Sequence, residues 1–425
     1  MKTALVILFS TLFLMNTIIS AQSPKEFAEI WDKQHISKMP PSNVRHKDLQ
    51  AYLEVLKRLG LPVTEVGRSY QNREIYQVEW GKGNLKVFMW SQMHGDEPTA
   101  TSALMDMLAF LQTSKLPWVK KLSESITLRA VPMLNPDGAE MYQRRNAQFI
   151  DINRDAQSLS TPEGRLLKRL RDEWQPDIGF NLHNQNSLTT VGSTKKQATI
   201  SLLAVSGNLE GKSTVGFERN KRICSVMINA LNQFIKGNIG RYEDDYNPRA
   251  FGDRISEWGT PVILIETGAL HGKLEMFLIR LNFVAFLTAL QSLVDGSEQK
   301  ADPKVYETLP FNSDGGIYDF IFRGATIVPD GGDPYVADVA VVEERRRADE
   351  GVRMIVREIG DLGIYTGLEE FDMKDFYLFP SDKNLRNGSP AQFRFFKKSR
   401  QIDLKNPTDP DKTFVQGKWV TISVK

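Results

Sequence analysis

Five histidines occur in the chain, at positions 35, 46, 94, 183 and 271. Their scarcity makes pairings with acidic residues easy to judge. His94 is followed three positions later by Glu97, within Ser91-Gln92-Met93-His94-Gly95-Asp96-Glu97-Pro98. An imidazole nitrogen and a carboxylate oxygen on one turn both bind zinc at close range, and a catalytic zinc takes three protein ligands with one position left open for water. His183 offers the third ligand. The same pair also fits a plainer reading, a polar helix start in which Glu97 serves the helix dipole. Glu266 closes the run Val262-Ile263-Leu264-Ile265. A carboxylate at the end of a buried strand needs a partner. It is either half of a buried ion pair with an arginine or a general base that takes a proton from zinc-bound water. Attack on a carbonyl creates an oxyanion, which zinc and a nearby cation must stabilise. Arg144, Arg145 and Arg154 follow the turn Asn135-Pro136-Asp137-Gly138 and are the cations in question.

These residues need a scaffold that aims them at one point. The apolar run Leu85–Trp90 has β-type residues at its centre and leads straight into the His94 turn; Pro98 suits the first turn of a helix, and Thr99–Gln112 continues at helical spacing. Ile126–Val131 is a strand ending near the Asn135 turn. Thr161 caps a helix that runs from Pro162 to about Trp174. Ile178–Leu182 is a strand ending at His183, Pro261–Ile265 one ending at Glu266, and helices are expected near Glu218–Lys236 and Leu274–Val294. Helices also occupy much of Ser23–Gly60, and Thr64–Gly67 pairs with Glu74–Trp80. Alternating strands and helices imply an α/β domain with a mixed, largely parallel sheet flanked by helices. In such sheets the ligand crevice lies beyond the carboxyl ends of the strands, where His94, His183 and Glu266 all fall.

The character changes after Asp295. Gly296–Pro303 is polar, like a linker, and 303–425 holds short β-like segments, among them Ile317–Phe322, Thr326–Val328, Val336–Val342, Val352–Ile359, Phe376–Phe379 and Trp419–Val424. This predicts a small C-terminal β domain, without histidine or cysteine, behind a catalytic domain over 22–295. The run Glu343-Glu344-Arg345-Arg346-Arg347 reads as a solvated surface stretch. At the other end, Met1-Lys2, the mainly apolar Ala4–Ile19 and the small residues Ser20 and Ala21 read as a signal peptide over 1–21. No later segment is expected to cross a membrane, so the mature protein is expected to be exported, periplasmic or extracellular. The single cysteine, Cys224, lies in an apolar stretch and is expected in the core. Of 425 residues 41% are hydrophobic and 25% charged, as in an ordinary globular protein. The net charge of +2, from 54 basic and 52 acidic residues, gives no reason to expect nucleic acid as a partner.

Taken together, the motifs resemble the zinc carboxypeptidases of the carboxypeptidase A type, in particular their bacterial members. The matching segments are Gly67-Arg68-Ser69 with Arg73; Gln92–Pro98; Asn135–Gly138; Arg144-Arg145-Asn146-Ala147; Asp151-Ile152-Asn153-Arg154; Asn181-Leu182-His183; and Ile265-Glu266. They occur in family order across roughly Tyr52 to Val294. The resemblance implies one zinc ion held by His94, Glu97 and His183, with Glu266 as general base. It implies Arg144 as the arginine that polarises the scissile carbonyl, with Arg145 as competitor, and Asn153 and Arg154 as the grip on a substrate's terminal carboxylate. An upstream tyrosine, Tyr242 or Tyr246, joins the substrate site; Tyr246 is taken here. The implied activity is that of an exported metallocarboxypeptidase acting on peptides with a free C-terminal carboxylate. A peptidoglycan stem-peptide amidase or a deacylase using the same zinc site is the neighbouring reading, and a non-catalytic binding protein on a peptidase scaffold is the distant one.

Departures from the family pattern carry expectations too. Asp155 stands where many members have asparagine, which would weaken carboxylate capture or favour an amine-bearing substrate. Arg249, Phe251 and Arg254 lie in the stretch expected to form the side-chain pocket. Tyr318–Val342 is also similar, through Gly324–Val328 and Ala337–Ala340, to the N-terminal β-sandwich strands of amidohydrolases. That superfamily's metal residues are absent, which leaves an accessory β domain.

Overall fold

The computed structural model describes residues 21–208, 215–243, 245–382 and 384–420. The expected signal peptide therefore lies almost wholly outside the described residues. Strands β1 (Val63–Arg68), β2 (Glu74–Gly81), β3 (Leu85–Ser91), β4 (Ile126–Val131), β5 (Ile178–Asn184), β7 (Ile200–Ala204), β8 (Ile239–Arg241) and β9 (Val262–Thr267) form one sheet; β6 (Thr190–Val191) stands apart from it. The order is β1-β2-β4-β3-β5-β9-β7-β8. β4, β3, β5 and β9 run parallel at its centre, with antiparallel pairings outside them.

Both faces of the central strands are covered, and residue alternation sorts them. Val87, Met89, Ile178, Phe180, Ile263 and Ile265 pack into a large core. It is shared with helices α1 (Pro24–Gln34), α2 (His46–Arg58), α3 (Thr99–Thr113), α4 (Pro117–Ser125), α7 (Val215–Ile235) and α9 (Glu275–Asp295). Phe88, Trp90, Val262 and Leu264 face the other way, against α6 (Pro162–Trp174) and α8 (Phe251–Glu257). The short α5 (Pro136–Met141) starts at the Asn135 turn, whose side chain accepts from the Gly138 N–H.

The central elements fall where the hydrophobic pattern puts them, and Thr161 caps α6 as expected. α4, β7, β8 and α8 were not expected; β8 and α8 are short, and their apolar residues make no clear period. α9 corrects one expectation. By length and composition it is apolar enough to cross a membrane, but 78% of its most apolar window is buried. Its flanks on α1, α3, α4 and α7 make it a core helix. Cys224 is buried in the core, and burial pushes its thiol up.

The expected linker holds one short turn, α10 (Ser297–Lys300); α11 (Lys304–Glu307) follows it, and β10 (Asn312–Ser313) pairs with β6. Beyond it an eight-stranded sheet comprises β11 (Ile317–Ile327), β12 (Tyr335–Glu343), β13 (Met354–Gly360), β14 (Thr366–Asp372), β15 (Phe376–Pro380), β16 (Phe393–Lys397), β17 (Lys412–Val415) and β18 (Lys418–Val420). β11 unites two segments expected to be separate, bent at an irregularity between Phe322 and Ala325 where Gly324 has φ +66°. Its core is aromatic, built on Phe322, Phe393, Phe395 and Phe414.

The Glu343–Arg347 run is solvated as expected at Glu343 and Arg345, which are exposed, and half-buried at Glu344 and Arg346; Arg347 is the exception. The Arg347 residue is 3% exposed, and its guanidinium donates to the carbonyls of Ser42, Ala139 and Glu140. Arg345 donates to the Asp96 carbonyl. Composition alone points charged runs outward, and only the packing of the β domain on the α/β domain covers Arg347.

Candidate metal centre and cleft

The switch in strand order sits at β3, with β4 on one side and β5 on the other. The crevice at such a point opens beyond the strand ends. Gln92, just past β3, has φ +51°, a left-handed conformation that turns the chain sharply. Its amide donates to the Gly95 carbonyl and its Oε1 accepts from Thr101, so the turn is locked to α3. Gly95 lies against Gly138: a Cβ there would stand 1.9 Å from the Gly138 carbonyl carbon. Only glycine lets this turn rest directly on α5.

His94 and Glu97 leave this turn side by side. His183 projects from β5, directly opposite Glu266 on β9. Neighbours in a parallel pair share a face, so both point to the side of α6 and α8. His94 Nδ1 lies 2.8 Å from Glu97 Oε1, His183 Nδ1 lies 2.6 Å from Glu97 Oε2, and the two Nδ1 atoms are 3.2 Å apart. Two nitrogens bound to one tetrahedral zinc at about 2.0–2.1 Å stand about 3.3 Å apart. Imidazole and carboxylate are zinc's customary donors. These residues fit zinc.

Asp151 completes the arrangement. Its Oδ1 lies 3.0 Å from His94 Nε2, so it holds a hydrogen there and turns the Nδ1 lone pair towards the metal position. In the sequence Asp151 is marked only by its place in the Asp151-Ile152-Asn153-Arg154 motif, two positions before Asn153. Arg144 donates to the other Asp151 oxygen at 2.9 Å and reaches His94 Nδ1 at 3.1 Å.

Charge follows geometry. Burial works against a charged His94, but Glu97 and Asp151 outweigh it and bring the imidazole to about 9 in the metal-free protein. Burial lowers His183. Burial would also raise the Glu97 carboxyl, but the two histidines hold it well below the usual range. Burial, with the nearby Glu97 charge, holds Glu266 well above it. Glu266 Oε2 is buried and has no hydrogen-bond partner. The buried ion pair with an arginine is therefore not what this oxygen makes.

A cleft of about 1270 Å³ opens over the site, with His94, Glu97, Arg144, Asn153, Arg154 and Glu266 on its wall. Asn153 Oδ1 accepts from the Phe251 N–H at 2.9 Å, which ties it to α8. Arg154 donates to the Asn153 carbonyl at 2.7 Å, and no carboxylate among the described residues pairs with it. Arg145 turns away to the Phe149 carbonyl, and of the two adjacent arginines only Arg144 lines the cleft. Tyr242 also lines the cleft, its hydroxyl pushed up to about 12 chiefly by the Glu266 charge. Tyr246 instead donates to Glu257 at 2.7 Å and is absent from the cleft wall.

Two further expectations change. The Asp155 carboxylate does not face substrate: it accepts from the backbone of Ser160 and Thr161 and from the Thr161 hydroxyl at 2.7–2.8 Å, bracing the start of α6. Arg249, Phe251 and Arg254 do not line the cleft, whereas Ala250, Gly252 and Asp253 do. The β domain supplies part of the remaining wall through Glu343, Glu344, Arg345, Arg346 and Arg357.

Residues 60–233 match the zinc carboxypeptidase family, a span that contains His94, Glu97 and His183 but not Glu266. A probable carboxypeptidase 2 of Arthroderma benhamiae is 31% identical over 111 residues, covering 26% of this chain and 21% of the relative. Carboxypeptidase Z of Mus musculus is 26% identical over 160 residues, covering 31% and 24%. The matched stretch thus spans about a fifth to a quarter of these relatives' length. Among solved structures, a metallo-carboxypeptidase from Burkholderia cenocepacia has the same fold: TM-score 0.50 at 17% identity, over 59% of this chain and 69% of that one.

Proposed function

We propose that this chain, which carries a zinc carboxypeptidase domain, hydrolyses the C-terminal peptide bond of peptides that end in a free carboxylate. The observation that carries the reading is the shared cleft. His94 and Glu97 of the zinc-fitting triad, an unpartnered buried carboxylate and an arginine without a carboxylate partner all open onto it.

Zinc, when bound by His94, Glu97 and His183, supplies a Lewis acid and lowers the pKa of a water. The chain's own groups do the rest. Asp151 orients His94. Glu266 takes the proton of the attacking water and passes it to the leaving amine. Arg144, held by Asp151, donates to the oxygen of the carbonyl under attack as charge builds on it. Arg154 and Asn153 bind the substrate's terminal carboxylate, and a guanidinium suits that task because its fork matches two carboxylate oxygens. Tyr242, not the expected Tyr246, stands as a protonated donor beside Glu266.

The test uses purified protein, zinc analysis and mass spectrometry of products from matched peptides. The protein is expected to hold about one zinc ion and to release single C-terminal residues. Amidating the C-terminus removes the charge that Arg154 reads, so kcat/KM is expected to fall by at least tenfold, the worth of a typical charged hydrogen bond. Equal cleavage of amidated and free peptides would overturn the carboxypeptidase reading in favour of an amidase or deacylase. Peptidoglycan stem peptides in the same mixtures identify that substrate class directly. Export follows from the N-terminal pattern, and N-terminal sequencing of protein recovered outside the cytoplasm, beginning near Gln22, would support it; an intact Met1 there would refute cleavage.

A further inference from the structure

The C-terminal β domain contacts the metal-ligand turn itself. Arg345, two residues past the end of β12, donates to the backbone carbonyl of Asp96, the residue immediately before Glu97. Its other guanidinium nitrogen lies 3.7 Å from Asp96 Oδ2, and the side chain reaches the neighbourhood of the Tyr142 hydroxyl. Tyr142 is the left-handed residue that closes α5, two positions before Arg144. One side chain thus bridges the turn that carries two zinc ligands and the loop that carries the oxyanion arginine.

Neighbouring contacts make this a built junction. Arg347 is buried, donates to carbonyls at the end of α5, and stacks its guanidinium 5.2 Å from the Tyr142 ring. The Ala348 and Asp349 N–H groups donate to the Ser42 and Asn43 side chains, and Asp349 pairs with Arg45 at 3.1 Å. The seat on the α/β side is rigid as well, since Gly95 and Gly138 touch backbone to backbone.

We infer that Arg345 is a positioning residue for the metal centre, supplied by the β domain. It holds the His94–Glu97 turn against the Arg144 loop, so that the β domain is part of the zinc site rather than an appendage to it. The physical basis is the usual one for groups behind metal ligands: they set ligand orientation, and their loss costs about 10–100-fold in metal affinity or activity. The inference rests on the reading that His94, Glu97 and His183 bind zinc.

The experiment measures zinc affinity of the full chain by competition with a chromogenic chelator, alongside kcat, KM and the melting temperature of the zinc-free protein. Arg345→Gln is expected to weaken zinc binding by about tenfold or more and to lower kcat more than it raises KM, with zinc-free melting unchanged. Arg345→Lys, which keeps a charged donor to the Asp96 carbonyl, is expected to recover most of the affinity. Arg400→Ala removes an arginine from elsewhere in the β domain, where it pairs with Asp411, and is expected to match the parent protein. Wild-type zinc affinity and kcat in Arg345→Gln would overturn the inference, as would an equal loss in Arg400→Ala. If Arg345→Gln does not fold, Arg345→Lys decides: affinity no better than that of a protein lacking a zinc ligand overturns the positioning role. A parent protein that takes up no zinc refutes the underlying metal reading instead.

Discussion

Replacing Glu266 with glutamine is expected to lower kcat by about 10²- to 10⁴-fold, the range over which a positioned general base contributes, while zinc content stays at the wild-type level. Glutamine keeps the shape of the side chain in its buried slot at the end of β9 but cannot accept the proton. Zinc should be retained because the converging donor atoms belong to His94, Glu97 and His183, not to Glu266. Folding should not suffer, since a buried carboxylate oxygen without a partner is a cost to the native state. A second readout tests the geometry without turnover. The Glu266 charge is the largest cause of the high Tyr242 pKa. Removing that negative charge makes the phenolate easier to form, so Tyr242 should titrate below about 12. A Glu266→Gln protein that turns over within tenfold of the parent would place the base elsewhere.

Stripping zinc with a chelator is expected to abolish hydrolysis, and the return of the metal should depend steeply on pH. In the metal-free protein Glu97 is held in its ionised form and His183 in its neutral form, both ready to bind. Only His94, at about 9, carries a proton that zinc must displace. Apparent affinity should therefore tighten by about tenfold per pH unit up to that value and then level off. The stability sign runs the other way. A histidine raised from 6.5 to about 9 stabilises the metal-free fold fully below pH 6.5, and that contribution is lost as pH rises through 9. The increment in melting temperature given by zinc should thus grow between pH 6.5 and 9. Asp151→Asn removes one of the groups that hold the His94 charge, so the pH window should move down while zinc affinity drops by about 10–100-fold. An increment that does not change with pH would show that His94 is not protonated in the metal-free protein.

Much of the α/β half was legible in the sequence. A strand, a sharp turn and a helix start are local events, and each leaves a mark in the chain: β-type apolar residues in Leu85–Trp90, glycine and proline around His94, a threonine cap at Thr161. His94, His183 and Glu266 could be placed at strand ends because periodicity marks where a strand stops. What periodicity does not encode is direction. Arg144 and Arg145 are adjacent and chemically identical; the loop geometry after α5 alone sends one to the cleft and the other to the Phe149 carbonyl. Tyr242 and Tyr246 are separated in the same way, and Asp155 faces α6 rather than substrate because the helix start behind it offers N–H donors.

Residue types and order by themselves pointed to a metal-binding site, an α/β sheet with His94, His183 and Glu266 beyond the strand ends, and a β-rich C-terminal region. Only the tertiary structure decided that Asp151 orients His94, that Arg347 is buried, and that Arg345 reaches the zinc-ligand turn from nearly 250 positions away. The reason is physical. Local propensity and hydrophobic period act over a few residues, whereas a hydrogen bond between distant segments exists only once packing has brought them together. A charged residue such as Arg347 therefore reads as solvated until the surface that covers it is known.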